Sequence, residues 1–381
     1  MTGRAPKRAP RLDLETVALD PATRVIVCCG SGGVGKTTTA AAIALRAAEQ
    51  GRKVVVLTID PARRLAQSMG LSELDNTPRV VSGVDTAKGG ELHAMMLDMK
   101  RTFDEIVTSH STPDRAEQIF ANPFYQSLSS TFAGTQEYMA MEKLGQLRAR
   151  DDWDLIVVDT PPSRSALDFL DAPQRLGRFL DGKMLRLLLA PARAGGRAYM
   201  KVVSASFSLF TRVLTKIIGT EVLRDLSAFV GALETMFGGF RERAQKTYEL
   251  LKTPGTAFVV VASPEPDALR EASYFVDRLS ADSMPLAGLV LNRVRSSLVP
   301  RLSAERAEVA ADALAEAGDS PLAEAALRVH AERARLATRD RRMRDRFTSA
   351  HPEVALLEVP ALAGDVHDLD GLRAVGRALT L

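Results

Sequence analysis

Lys36 and Thr37 close the run Gly30–Ser31–Gly32–Gly33–Val34–Gly35–Lys36–Thr37–Thr38. Gly30 and Gly35–Lys36–Thr37 satisfy the phosphate-binding spacing G-x-x-x-x-G-K-[ST]. Glycines let successive backbone N–H groups curl around phosphate oxygens, and the start of the following helix adds the positive end of its dipole. The spacing predicts that Lys36 reaches the β- and γ-phosphates and that the Thr37 hydroxyl holds Mg²⁺. A plain glycine-rich turn is the alternative. The apolar run Val25–Cys29 before the loop and the helical pattern Ala40–Glu49 after it supply the context the motif needs.

Two carboxylates and an amide join this loop. Asp60, in Ile59–Asp60–Pro61–Ala62–Arg63, stands just past a predicted strand, on the edge where open α/β sheets bind ligands. A carboxylate there orients an attacking water; capping a helix is the plainer role for an Asp-Pro turn. Asp159 ends the apolar strand Leu155–Ile156–Val157–Val158 and is placed to bind a Mg²⁺-bound water or the Thr37 hydroxyl. Lys36, Asp60 and Asp159 are therefore the expected catalytic residues, and Thr37, Asp60 and Asp159 the expected metal neighbours. Asn292, after Val290–Leu291, is placed to read an adenine edge. The guanine-reading pattern Asn-Lys-x-Asp is absent there, which favours ATP over GTP.

Alternating elements must position these residues. Strands are predicted at Arg24–Cys29, Lys53–Thr58, Leu92–Leu97, Leu155–Asp159, Ala257–Ala262, Leu286–Leu291 and Val354–Val359. Several are continuous Val/Ile/Leu runs, as strands buried on both faces require. Helices are predicted at Gly35–Glu49, Pro61–Met69, Arg101–Thr108, Arg164–Leu170, Asp267–Leu279, Ala304–Ala317 and Asp370–Leu379, with solvated helix over Ala304–Phe347 as a whole. The alternation implies an α/β fold with a doubly wound, mostly parallel sheet. A stretch of roughly a hundred residues between Asp159 and Ala257 breaks the rhythm. It predicts a helical subdomain inserted after the Asp159 strand, at about 177–250. Val203, Phe207, Phe210, Leu214 and Ile217 follow helical spacing there, as do Val222, Leu226, Phe229, Leu233 and Phe237. Such stripes suit helices packed on the sheet or an apolar surface for a client helix or membrane-protein partner.

Composition narrows the class. The 381 residues are 46% apolar with a formal net charge of +3, which gives no argument for nucleic acid as a partner. The basic start (Arg4, Lys7, Arg8, Arg11) lacks an apolar core, so residues 1–20 read as a flexible tail rather than a signal peptide. Residues 21–381 then form the nucleotide-binding domain. No apolar run is long enough to span a membrane. The two cysteines, Cys28 and Cys29, are adjacent in a strand and point to opposite faces, as buried thiols rather than a disulfide. The five histidines show no metal-ligand spacing. Both observations fit a reducing cytoplasm.

The loop Gly30–Thr37, the Asp60–Pro61–Ala62 segment and Asp159–Thr160–x–Pro162 together resemble the ArsA/Get-type ATPases, a branch of the deviant Walker A proteins with a P-loop NTPase fold. The resemblance runs from about Val25 to the C-terminus and takes in Ala262–Ser263–Pro264–Glu265 and Val359–Pro360. It implies a Mg²⁺-dependent ATPase that binds ATP and ADP and works as a nucleotide-driven dimer. It also implies Asp60 as the water-orienting residue, and Asn292 and Pro360 as adenine contacts.

Four departures from the family pattern carry consequences. The family loop reads G-K-G-G-x-G-K-T, and its first lysine reaches the partner's nucleotide; here that position is Ser31. Removing one preorganised donor from developing transition-state charge costs about 3–4 kcal/mol elsewhere. A symmetric homodimer lacks the lysine twice, so the expected working unit pairs this chain with a lysine-bearing paralogue; self-association, with an arginine replacing the lysine, is the alternative. After Asp159 the family's flexible glycine is replaced by Arg164, and Pro161 stiffens the segment. The dimer-clamping CxxC is missing. The stretch Asp181–Thr220 has only Met184 and Met200, against the methionine-rich client groove of the members that target tail-anchored proteins.

Overall fold

Runs of Val, Ile and Leu with almost no polar interruption form the sheet's centre. The computed structural model describes residues 9–60, 64–123, 125–126, 135–161, 242–297 and 299–380. It divides into two units: Met1–Met96 with Asp151–Leu167 and Leu251–Leu381, and Leu97–Arg150 with Asp168–Leu250.

The first unit holds eight strands: β1 (Val25–Cys29), β2 (Lys53–Thr58), β3 (Arg79–Val80), β4 (Glu91–Met96), β5 (Leu155–Asp159), β6 (Thr256–Ala262), β7 (Leu286–Val294) and β8 (Leu356–Pro360). Their order is β3-β4-β2-β5-β1-β6-β7-β8. All neighbours are parallel except β3 on β4. Every residue of β1, β5 and β6 is buried, as expected of central parallel strands covered on both faces. The doubly wound, mostly parallel α/β sheet predicted from the sequence is thus present, with the seven expected strands within a few residues of their bounds. The two-residue β3 was not expected; so short an antiparallel edge has no pattern to read.

Helices of this unit are α1 (Leu14–Leu19), α2 (Lys36–Glu49) and α3 (Arg64–Ser68). The second unit contributes α4 (Met99–His110), α5 (Pro113–Phe120) and α6 (Thr135–Arg150), and the first resumes with α7 (Pro266–Ala281), α8 (Ala304–Ala317), α9 (Pro321–Ala350) and α10 (Leu369–Ala378). α2 is alanine-rich and almost wholly buried, so the small side chains bring it close to the sheet.

The start of the chain corrects one expectation. Residues 11–20 belong to the fold rather than to a flexible tail. Leu12 and Leu14 are buried, Asp13 caps α1 by accepting from Thr16 N, and the Leu12 N–H donates to the Leu356 carbonyl. Glu15 pairs with Arg46 of α2 at 2.7 Å. Among basic residues that read as a tail, the Leu12-x-Leu14 pair supplies the burial that anchors the segment.

In the second unit, buried Glu142 receives Arg243 at 2.9 Å, and Lys143 meets Glu105 at 3.0 Å. Residues 242–250 are helical. The unit includes Leu97–Arg150, whereas the sequence pointed only to an insertion at about 177–250. Most of that predicted insertion, its apolar stripes, the helix expected at Arg164–Leu170, and Pro61–Arg63 and Pro162 lie outside the described residues.

Candidate active site

The chain passes from β1 into the glycine loop at the centre of the sheet. Gly30 (φ +151°), Gly33 (+77°) and Gly35 (+96°) hold backbone conformations that side chains disfavour. Two of them are also sterically required. A Cβ at Gly30 would fall on the Val261 carbonyl oxygen of β6, and one at Gly35 would fall on the Asn292 amide of β7. The loop is thus pressed against two neighbouring strands, and its glycines are what permit that approach.

Beneath the loop, strand register converges three side chains. β5 pairs with β1 so that Asp159 lies beside Cys28, and with β2 so that Asp159 lies beside Thr58. Thr37 Oγ1, on the first turn of α2, donates to Asp159 Oδ2 at 2.8 Å, and Thr58 Oγ1 donates to the same oxygen at 3.0 Å. Asp159 Oδ1 is buried without a hydrogen-bond partner among the described residues. Burial pushes the Asp159 carboxyl up to about 6, against the opposing pull of the two hydroxyls and of Lys36. Lys36 is itself buried, and its Nζ donates to the Ser31 carbonyl at 2.7 Å. Burial lowers its pKa, while Asp159, Cys29 and Asp60 oppose that shift. Asp60 follows β2, with its backbone N–H donating to Thr58 Oγ1 at 3.2 Å.

On the other side of the loop, Asn292 Nδ2 donates to the Val34 carbonyl at 2.9 Å, and its Oδ1 accepts from Arg293 N at 2.9 Å. These two bonds fix which end of the amide faces which way. A cavity of about 440 Å³ opens here, lined by Gly35, Thr38, Asn292, Arg293, Pro360 and the segment 361–366 among others. Its size suits a nucleoside.

The predicted residues are therefore assembled on one sheet edge. Lys36, Thr37 and Asp159 touch one another directly or through one neighbour, and Thr38, Asn292 and Pro360 meet at the cavity. Ser31 Oγ is buried without a partner among the described residues, and an uncharged hydroxyl supplies no cation at that position. Thr58 and Arg293 were missed. Thr58 was legible as the strand-end hydroxyl beside Asp159 only once the strand order was known. Cys28 and Cys29 are fully buried free thiols, as predicted; burial pushes Cys28 up and Cys29 up to about 12.

The donor set fits Mg²⁺ with a polyphosphate. Asp159 offers a carboxylate oxygen without a partner, and Thr37 a hydroxyl. Among the described residues no three His, Cys, Asp or Glu side chains gather to hold a metal alone. A hard cation here would take its remaining ligands from phosphate and water.

A glycine loop feeding a buried helix at the switch point of an eight-stranded, mostly parallel sheet, with a strand-end aspartate on the loop's threonine, defines the P-loop NTPase fold. More narrowly, the chain belongs to the anion-transporting ATPase family, whose family model matches residues 23–308. It is similar to an "ATPase ASNA1 homolog" of Cryptosporidium parvum, 27% identical over 70% of this chain and 63% of that one. A "Putative arsenical pump-driving ATPase 1" of Aquifex aeolicus is 25% identical over 65% and 58%. "ATPase get3" of Schizosaccharomyces pombe is 26% identical over 74% and 76%. The match thus spans less than two thirds of the length of the first two relatives. Among the described residues no helix is long and apolar enough to cross a membrane.

Proposed function

We propose that this chain is a Mg²⁺-dependent, ATP-hydrolysing switch subunit that works in the cytoplasm as a dimer with a lysine-bearing paralogue. The observation that carries the reading is the buried Thr37–Asp159–Thr58 cluster beneath the loop, with Lys36 beside it. The names of the relatives, all ATPases, support the activity.

Each residue has a definite task. Lys36 keeps two of its three donors for phosphate oxygens after the bond to Ser31. Thr37 and Asp159 would hold Mg²⁺, which supplies charge neutralisation on the phosphates. Asp60 orients the attacking water and accepts its proton. Asn292 retains one N–H and one acceptor lone pair beyond its two internal bonds. That pair matches the N7 acceptor and N6 donor of adenine and opposes the two acceptors, N7 and O6, of guanine. Pro360 supplies an apolar face to the base.

Ser31 limits turnover, because no cation stands at that position for a partner's nucleotide. The test is Mg²⁺-ATP turnover of the purified chain against its own concentration, with and without a lysine-bearing paralogue. ATP binding with little turnover alone, rising on addition of the paralogue and falling with Lys36→Ala in this chain, is expected. Substantial turnover by the chain alone, unchanged by the paralogue, would overturn the heterodimer. Turnover untouched by Lys36→Ala would overturn the ATPase reading itself.

A further inference from the structure

Arg293 is unlike the other arginines described here. It sits in the left-handed region, at φ +61°, a costly conformation for a residue with a Cβ. The pairing of β7 with β8 shifts register between Leu291 and Val294, so Asn292 and Arg293 leave the regular ladder. Irregularities of this kind re-aim side chains at sheet edges and beside sites. The Arg293 guanidinium is re-aimed onto the glycine loop, where Nη1 donates to the Gly33 carbonyl at 3.0 Å. No carboxylate among the described residues pairs with it. Arg295, two residues on, is by contrast tied to buried Asp340 at 3.3 Å. Arg293 also lines the cavity together with Gly35 and Thr38.

We infer that Arg293 is a second phosphate-binding cation, supplied from β7 rather than from the loop, which engages the polyphosphate chain of the bound nucleotide. The inference rests on the proposed function and assigns Arg293 to nucleotide retention rather than to turnover. A guanidinium presents several donors in a planar fork, so one can stay on Gly33 while others meet phosphate oxygens.

The test is equilibrium binding of ATP, ADP and adenosine, by calorimetry, to the full chain and to Arg293→Gln and Arg293→Lys. Glutamine keeps an N–H donor for Gly33 but not the charge; lysine keeps the charge. Arg293→Gln is expected to weaken ATP by about ten- to hundredfold, to weaken ADP, and to leave adenosine within about twofold. Its ATP affinity should also depend less steeply on salt. Arg293→Lys should restore most of the affinity. Equal losses for ATP and adenosine, or none for ATP, would overturn the inference and leave Arg293 a loop brace. Failure of the wild-type chain to bind ATP would overturn the proposed function, and this inference with it.

Discussion

Replacing Asp159 with asparagine should make the protein more stable while disabling it. The carboxyl is completely buried and is pushed from an ordinary value of 3.8 up to about 6. Because the folded value lies above the unfolded one, the carboxyl's favourable contribution is complete below pH 3.8 and is lost as pH rises through 6. Above pH 6 the buried charge costs the fold about 3 kcal/mol relative to the neutral group. Asparagine mimics the neutral acid: its oxygen can accept from Thr37 and Thr58, as Oδ2 does now. With Lys36 charged in both proteins, Asp159→Asn should therefore gain about 3 kcal/mol at pH 8 and only about 1 kcal/mol at pH 4.5. Urea unfolding across this range measures the difference. The single tryptophan, Trp153, is buried two residues before β5 and reports on the unit that contains Asp159. The same variant should lose Mg²⁺-dependent stabilisation by ATP. A loss of stability at pH 8, or a gain independent of pH, would refute the account of Asp159 as a charge held ready for a cation.

Two further substitutions probe the frame. Gly30→Ala places a methyl on the Val261 backbone oxygen at a positive φ, so it should destabilise by about 3 kcal/mol or more and lower the melting temperature, because neither atom can move without shifting a central strand. A melting temperature within a degree of wild type would show that β1 and β6 are not pressed together there. Arg52 donates to four carbonyls, of Ala18, Asp20, Thr23 and Asp154. Arg52→Lys cannot reproduce that fork and should cost about 2–3 kcal/mol in urea unfolding, with the charge retained; full rescue by lysine would mean that charge alone matters.

Legibility followed the physics of each element. The central strands declared themselves because burial on both faces forbids polar residues, as in Val25–Cys29 and Leu155–Asp159. The loop declared itself because its chemistry depends on residue type at fixed spacing. The site edge could be inferred as well, since Asp159 ends a predicted strand and Asp60 and Asn292 each follow one. What escaped depended on tertiary placement. Thr58 is an ordinary strand-end hydroxyl until β5 lies beside β2. Arg293 is an ordinary surface arginine until the register shift in β7 turns it onto Gly33. α5 is only eight residues long, α6 carries too many polar residues for a clear stripe, and α1 is held by two leucines in a segment that reads as basic tail.

In the proposed function, the opposing shifts at Lys36 and Asp159 would let one cluster both fold and sense a ligand. Burial disfavours the charge on each: it lowers the lysine and raises the aspartate. Each partly supports the other's charge, but neither has a full set of partners among the described residues. A polyanion brings acceptors to Lys36, and a divalent cation brings charge to Asp159 Oδ1, so both groups favour their ionised forms when the ligand is present. Such binding would release a proton from Asp159 wherever the pH lies below about 6, and would stabilise the unit by mass action. Thr58 extends this coupling, because its hydroxyl bonds Asp159 Oδ2 and also receives the Asp60 N–H. A change in the charge or position of Asp159 therefore reaches the residue proposed to orient water through a single side chain. The segment after β2 is the first place where the ligand state of the loop would be felt.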